Sequence, residues 1–160
     1  DVLALVAFAL AKGIDLAFIE EMPLGVIDDH DRAQTMLTSA ALRVMIEPHH
    51  ALLPEGAAYR SGPATYYRVA GSQTRLGFIS PHSHNFCGDC NRVRLTAEGR
   101  LLLCLGHEHS LDLRAPLRAG VSDAELADMI RLALLRKPER HEFDLAGEPQ
   151  IVRFMNMTGG

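Results

Sequence analysis

Phe86-Cys87-Gly88-Asp89-Cys90-Asn91-Arg92-Val93-Arg94-Leu95-Thr96, followed by Ala97-Glu98-Gly99-Arg100-Leu101-Leu102-Leu103-Cys104, holds all three cysteines of the 160-residue chain within 18 positions. Val93 to Thr96 and Arg100 to Leu105 read as strands joined across Ala97-Glu98-Gly99, a hairpin that returns Cys104 towards Cys90. A thiolate is a strong soft donor for zinc or iron, so two thiols on a Cys-x2-Cys turn and a third brought back by a hairpin can meet at one metal centre. Three thiolates fall one short of the four ligands that such a centre wants.

Spacing alone leaves two completions open. A histidine, His82 or His84 ahead of the turn or His107 or His109 beyond it, would give a Cys3His zinc site. The other completion is a 4Fe-4S cluster with one iron open to a small ligand. Buried thiols without a chemical role are the bland third reading, and they need not cluster in sequence. Arg92 and Arg94 favour the open centre. Residues two apart on a strand share a face, and a guanidinium fork suits phosphate or carboxylate oxygens, so the pair would hold a substrate anion beside Cys90. As a plain solvated face they would carry no such meaning.

Working outward, 48% hydrophobic and 22% charged residues are ordinary for a globular protein. A net charge of −4 and a pI near 6.0 exclude a general nucleic-acid binder, whose affinity needs a basic surface. The apolar run Val2 to Leu10 is about half the ~20 residues that span a bilayer, and no basic flank precedes it, so no membrane segment is expected. An odd set of cysteines in one short window suits a metal site in a reducing compartment, hence a cytoplasmic location.

Leu3, Val6 and Leu10 predict a helix stopped by Gly13, and Ile14 to Glu20 predicts a strand; together they resemble the end of an α/β unit. One such unit cannot close a parallel sheet, so the chain is expected to be a C-terminal piece. Apolar spacing from Asp28 to Met45 predicts a helix capped by Asp28 or Asp29. Pro48 to Pro63 reads as an exposed connection, and Tyr66 to Val69 and Leu76 to Ser80 as strands. Ser122-Asp123-Ala124-Glu125 is a capping box for a helix that Pro138 ends. Met22, after a strand, is ordinary core filler, although barrels gather active-site residues at strand ends. Gly159-Gly160 is either a frayed end or a tail that threads a narrow cavity where a Cβ would collide.

Phe18-Ile19-Glu20-Glu21-Met22-Pro23-Leu24-Gly25, Cys87-x2-Cys90-Asn91-Arg92-x-Arg94-Leu95-Thr96, Cys104 after thirteen intervening residues, Asp112-Leu113-Arg114, Lys137-Pro138 with His141 and the Gly-Gly terminus occur in family order along the chain. With them the sequence resembles the GTP 3′,8-cyclase (MoaA) family of radical S-adenosylmethionine (SAM) enzymes in molybdenum cofactor biosynthesis. It lacks that family's N-terminal part, with its CxxxCxxC loop.

The resemblance implies an α/β fold in which residues 1–27 are the last helix and strand of an incomplete radical-SAM (β/α)6 barrel. Residues 28–160 would form an α+β C-terminal capping domain. It also implies that Cys87, Cys90 and Cys104 ligate a second 4Fe-4S cluster, that Arg92, Val93 and Arg94 contact GTP, and that Met22 lines the SAM site. Gly159 and Gly160 would be a tail that enters the active site. The implied reaction converts GTP to (8S)-3′,8-cyclo-7,8-dihydroguanosine 5′-triphosphate: a 5′-deoxyadenosyl radical takes hydrogen from C3′, and the sugar radical attacks C8.

No catalytic residue is expected within these 160 positions, so the fragment alone is expected to be inactive. Implied partners are GTP, the N-terminal barrel of the same protein, cyclic pyranopterin monophosphate synthase as the next enzyme, and a homodimeric second copy. The rival readings are a zinc-binding structural or interaction module, and another radical SAM enzyme with an auxiliary cluster, a class that usually has more than three cysteines.

Overall fold

The computed structural model describes residues 1–25, 31–56, 62–141 and 143–144; Gly159, Gly160 and the expected cap Asp28 or Asp29 lie outside the described residues. The chain is mixed α/β and divides into two compact units. One comprises Asp1–Met22 with Gln34–Phe86, the other Pro23–Ala33 with Cys87–Gly160.

In the first unit, α1 (Val2–Lys12) ends on Gly13 at φ 63°, a left-handed position that only glycine takes without strain. The chain then enters β1 (Leu16–Ile19). β1 runs parallel to β4 (Arg75–Ile79), with Leu16 opposite Leu76 and Ile19 opposite Ile79. β4 pairs antiparallel with β3 (Ala64–Val69), and β3 with β2 (Leu52–Pro54), giving the order β1-β4-β3-β2. Val6, Leu42, Ile46, Val69, Leu76 and Phe78 form the buried core. They come from α1, from α3 (Ser39–Ile46) and from the sheet, because each of these elements has one apolar face to cover.

Two expectations change here. The helix expected over Asp28 to Met45 is two helices, α2 (Arg32–Thr35) and α3, interrupted at Met36–Thr38. Thr38 is the N-cap of α3: its hydroxyl accepts the Ala41 N–H at 3.1 Å, while the Ser39 N–H goes to Glu20 Oε1 at 2.9 Å. Those two bonds use donors that a continuous helix would have turned on itself. The second change is β2, which lies inside the stretch expected to be only a connection and pairs Leu52 with Val69.

The second unit is built on a three-stranded antiparallel sheet, β5 (Arg94–Leu95), β6 (Arg100–Leu102) and β7 (Ser110–Asp112). The expected turn joins β5 to β6, with Gly99 at φ 79°. A Cβ there would lie 2.9 Å from Arg114 Cβ, so the position is reserved for glycine twice over. β7 was not legible as a strand. A short helix α4 (Arg114–Arg118) follows, then α5 (Asp123–Leu134), opened by the expected capping box between Ser122 and Glu125. Leu101, Leu103, Leu113 and Ala133 are its buried core, with Leu126 and Ile130 of α5 packed on them. Among the described residues no helix is long and apolar enough to cross a membrane.

Candidate metal centre

All three thiols lie in the second unit, half-buried and not joined in a disulfide. Cys87 opens a single 3-10 turn, Cys87–Asp89, closed by the Cys90 N–H donating to the Cys87 carbonyl at 3.0 Å. Cys104 follows Leu103, where the chain leaves β6. β6 is shorter than the expected strand to Leu105, and that early exit frees Cys104 from the sheet ladder.

The hairpin brings the thiols into one electrostatic neighbourhood. Burial pushes the Cys104 thiol up; the Gly106 N–H and the charge of Lys137 oppose this, while negative charge at Cys87 and Cys90 adds to it. Burial also works against ionisation of Cys90, but there the donors prevail. The Arg92 backbone N–H, the charges of Lys137 and Arg92, and a hydrogen bond from the Arg92 side chain hold that thiol below its ordinary value. On balance the surroundings favour thiolate at Cys90, whereas at Cys104 burial outweighs the Gly106 N–H and the charge of Lys137. In donor chemistry the set fits a thiolate-held cluster. Among the described residues, however, no three His, Cys, Asp or Glu side chains close on a single ion position. His82 spends Nε2 on the Glu21 carbonyl at 2.8 Å, and His107 spends Nε2 on the Arg140 carbonyl at 3.1 Å.

The arginines sit differently from expectation. β5 contains only Arg94 and Leu95, with Arg94 opposite Leu102, so Arg92 lies outside the strand and the shared-face argument does not apply to it. The reason is local: the Arg92 N–H is turned towards the Cys90 sulfur rather than into the sheet ladder. Arg92 still reaches the thiol site, as part of the cysteine turn itself. Val93, between them, is 39% exposed. Met22 is half-buried at the end of the first unit, just beyond β1.

Two residues of consequence carried no assigned role in the sequence reading. Glu20 is 1% exposed, and its carboxylate accepts the N–H groups of Ser39, His82 and Ser83 together with the Ser83 hydroxyl. Lys137 donates from Nζ to the Leu103 carbonyl at 2.8 Å, next to Cys104. Each had one visible signal: a carboxylate closing an apolar strand, and a lysine before the proline that ends a helix.

The family model described as Molybdenum Cofactor Synthesis C matches residues 14–143. The chain is 59% identical to GTP 3′,8-cyclase 1 of Pseudomonas aeruginosa, a match covering all of the chain and 49% of that protein. It is 55% identical to GTP 3′,8-cyclase of Ectopseudomonas mendocina, over all of the chain and 48% of the relative. With GTP 3′,8-cyclase of Marinobacter nauticus it shares 55% identity over 98% of the chain and 47% of the relative. The chain therefore spans about half the length of the curated relatives it matches. With a matched region that takes in the strand β1, both sheets and all three cysteines, the chain belongs to the Molybdenum Cofactor Synthesis C family.

Proposed function

We propose that this chain is the C-terminal portion of a GTP 3′,8-cyclase and that its second unit holds the substrate GTP beside a 4Fe-4S cluster ligated by Cys87, Cys90 and Cys104. What supports the reading is that the three thiols share one unit, where Arg92 and Lys137 act on Cys90, and Lys137 holds the Leu103 carbonyl directly before Cys104. Such a cluster, when bound, supplies an iron with an open coordination position that a guanine heteroatom can occupy. The protein's own part is orientation. Arg92 and Arg94 present guanidinium forks to the anionic oxygens of the nucleotide, Val93 lies between them against the sugar and base, and the leucines around Cys104 exclude water. Holding the nucleotide at both ends fixes C3′ relative to the radical source, and a closed site keeps that radical from other targets.

On this reading residues 1–27 are the final helix and strand of the incomplete radical-SAM barrel and 28–160 its capping domain. Met22 contributes to the SAM site, and the Gly159-Gly160 tail to the active site. Support for an absent barrel comes from the surface of the first unit. β1 pairs with β4 on one side only among the described residues, and Leu5, Phe8 and Ile19 are 50, 56 and 57% exposed. The barrel's SAM site and chemistry would then act on GTP held here, and the product would pass to a cyclising synthase.

The test is anaerobic reconstitution with iron and sulfide, followed by EPR of the reduced chain with and without GTP. A 4Fe-4S signal that moves on adding GTP is expected. Replacing Arg92 and Arg94 by Ala should weaken GTP binding by about 1.5–3 kcal/mol for each charged hydrogen bond lost. Zinc uptake without cluster assembly or any nucleotide effect would overturn the proposal in favour of a structural module.

A further inference from the structure

Lys137 stands just past the end of α5, where its backbone N–H still donates to the Leu134 carbonyl at 3.0 Å and Pro138 prevents the helix from continuing. That places the side chain over the segment that carries Cys104, and Nζ reaches the Leu103 carbonyl at 2.8 Å. The residues that follow stay on the same segment. The Arg140 carbonyl takes the His107 Nε2 at 3.1 Å, and His141 packs so tightly on Gly106 that a Cβ there would lie 2.6 Å from His141 Cβ. Residues 137–141 thus clasp residues 103–107.

The charge of Lys137 is unusual within this clasp. The side chain is part-buried, its hydrogen-bond acceptor is a neutral carbonyl, and among the described residues it has no carboxylate partner. A half-buried ammonium that meets only a neutral carbonyl is free to balance a nearby anion. The carbonyl it holds is that of Leu103, the residue directly before the Cys104 thiol.

We propose that Lys137 is a positioning residue of the three-cysteine site, holding the Cys104 segment through the Leu103 carbonyl and setting the cation that balances the thiolate-bound metal centre. This rests on the reading of Cys87, Cys90 and Cys104 as metal ligands. Reduction of a 4Fe-4S centre adds one electron, supplied in the test by dithionite, and makes the site more negative by one charge; a neighbouring cation favours the reduced state. Through the clasp, Lys137 and His141 bear on one loop.

The experiment compares the wild-type chain with Lys137→Gln, which keeps a donor but loses the charge, and Lys137→Arg, which keeps both. All three are reconstituted anaerobically and titrated by EPR. Lys137→Gln should change the oxidised-to-reduced ratio at fixed potential by about tenfold towards oxidised, about 59 mV for a one-electron couple. Lys137→Arg should stay near wild type. A fully loaded Lys137→Gln chain with the wild-type potential would overturn the proposal, as would Lys137→Arg shifting as far as Lys137→Gln. Should Lys137→Gln fail to fold, Lys137→Arg decides alone, and loss of its iron or of the wild-type potential counts against the assignment. A wild-type chain that binds zinc but assembles no cluster overturns the cluster reading separately. In that case zinc affinity replaces potential: about tenfold weaker binding in Lys137→Gln sustains the role of Lys137, and equal affinity removes it.

Discussion

Glu20 closes β1 and ties together parts of the chain that are far apart in sequence, since its two carboxylate oxygens serve Ser39 on one side and His82 and Ser83 on the other. Burial pushes this carboxyl up, but the hydroxyl of Ser83 and the N–H groups of Ser39, Ser83 and His82 outweigh it and hold its pKa below the ordinary range. Glu20→Gln replaces one acceptor by a donor facing donors, at an expected cost of about 2–3 kcal/mol in urea unfolding near neutral pH. Because the folded pKa is the lower one, this stabilisation is present above the unfolded carboxylate value and is lost as pH falls through the folded value. The stability gap between wild type and Glu20→Gln should therefore shrink on acidification. A gap that stays constant down to the acid limit would show that the charge is not what stabilises the site.

At the scale of elements, the loop between β6 and β7 carries Cys104 and depends on Gly106. The nearest atoms to a Cβ at that position would be His141 Cβ at 2.6 Å and Phe143 Cε1 at 3.0 Å. His141 is itself fixed: its ring lies 4.2 Å from that of Phe143, and its Nδ1 accepts the Phe143 N–H at 3.3 Å. Neither neighbour can retreat cheaply, so Gly106→Ala should destabilise the second unit by about 1–3 kcal/mol. Thermal unfolding and iron content after reconstitution are the measurements. Unchanged values in both would mean that the clasp yields without consequence.

For the whole molecule, the outer surface of α1 and β1 is the place where the proposed barrel would continue. Phe8 is 56% exposed, so Phe8→Glu should leave the stability of this chain within about 0.5 kcal/mol, as for ordinary surface substitutions. In a full-length cyclase the same change would place a carboxylate inside an apolar contact and should reduce both assembly and cyclisation. Equal activity of the full-length variant would remove that surface from the barrel interface. Urea titration of the chain and turnover of the full-length enzyme separate the two effects.

The sequence by itself determined the elements whose cause is local. Gly13 ends α1 and Gly99 turns the hairpin because both need positive φ, and Ser122 with Glu125 opens α5 because the capping box is complete within four residues. The clustering of Cys87, Cys90 and Cys104 along the chain was equally visible, and the hairpin between Cys90 and Cys104 forms as its turn signal predicts. What only the tertiary structure decided were the features that depend on distant partners. The long helix breaks at Thr38 because Glu20, nineteen residues earlier, takes the Ser39 N–H. β2 forms because β3 offers it an edge, and Arg92 stays outside β5 with its N–H turned to Cys90. Lys137 acquires its place from a carbonyl thirty-four residues away. Periodicity and caps record what a segment does with its own neighbours; which buried donor meets which acceptor is fixed only when the segments pack.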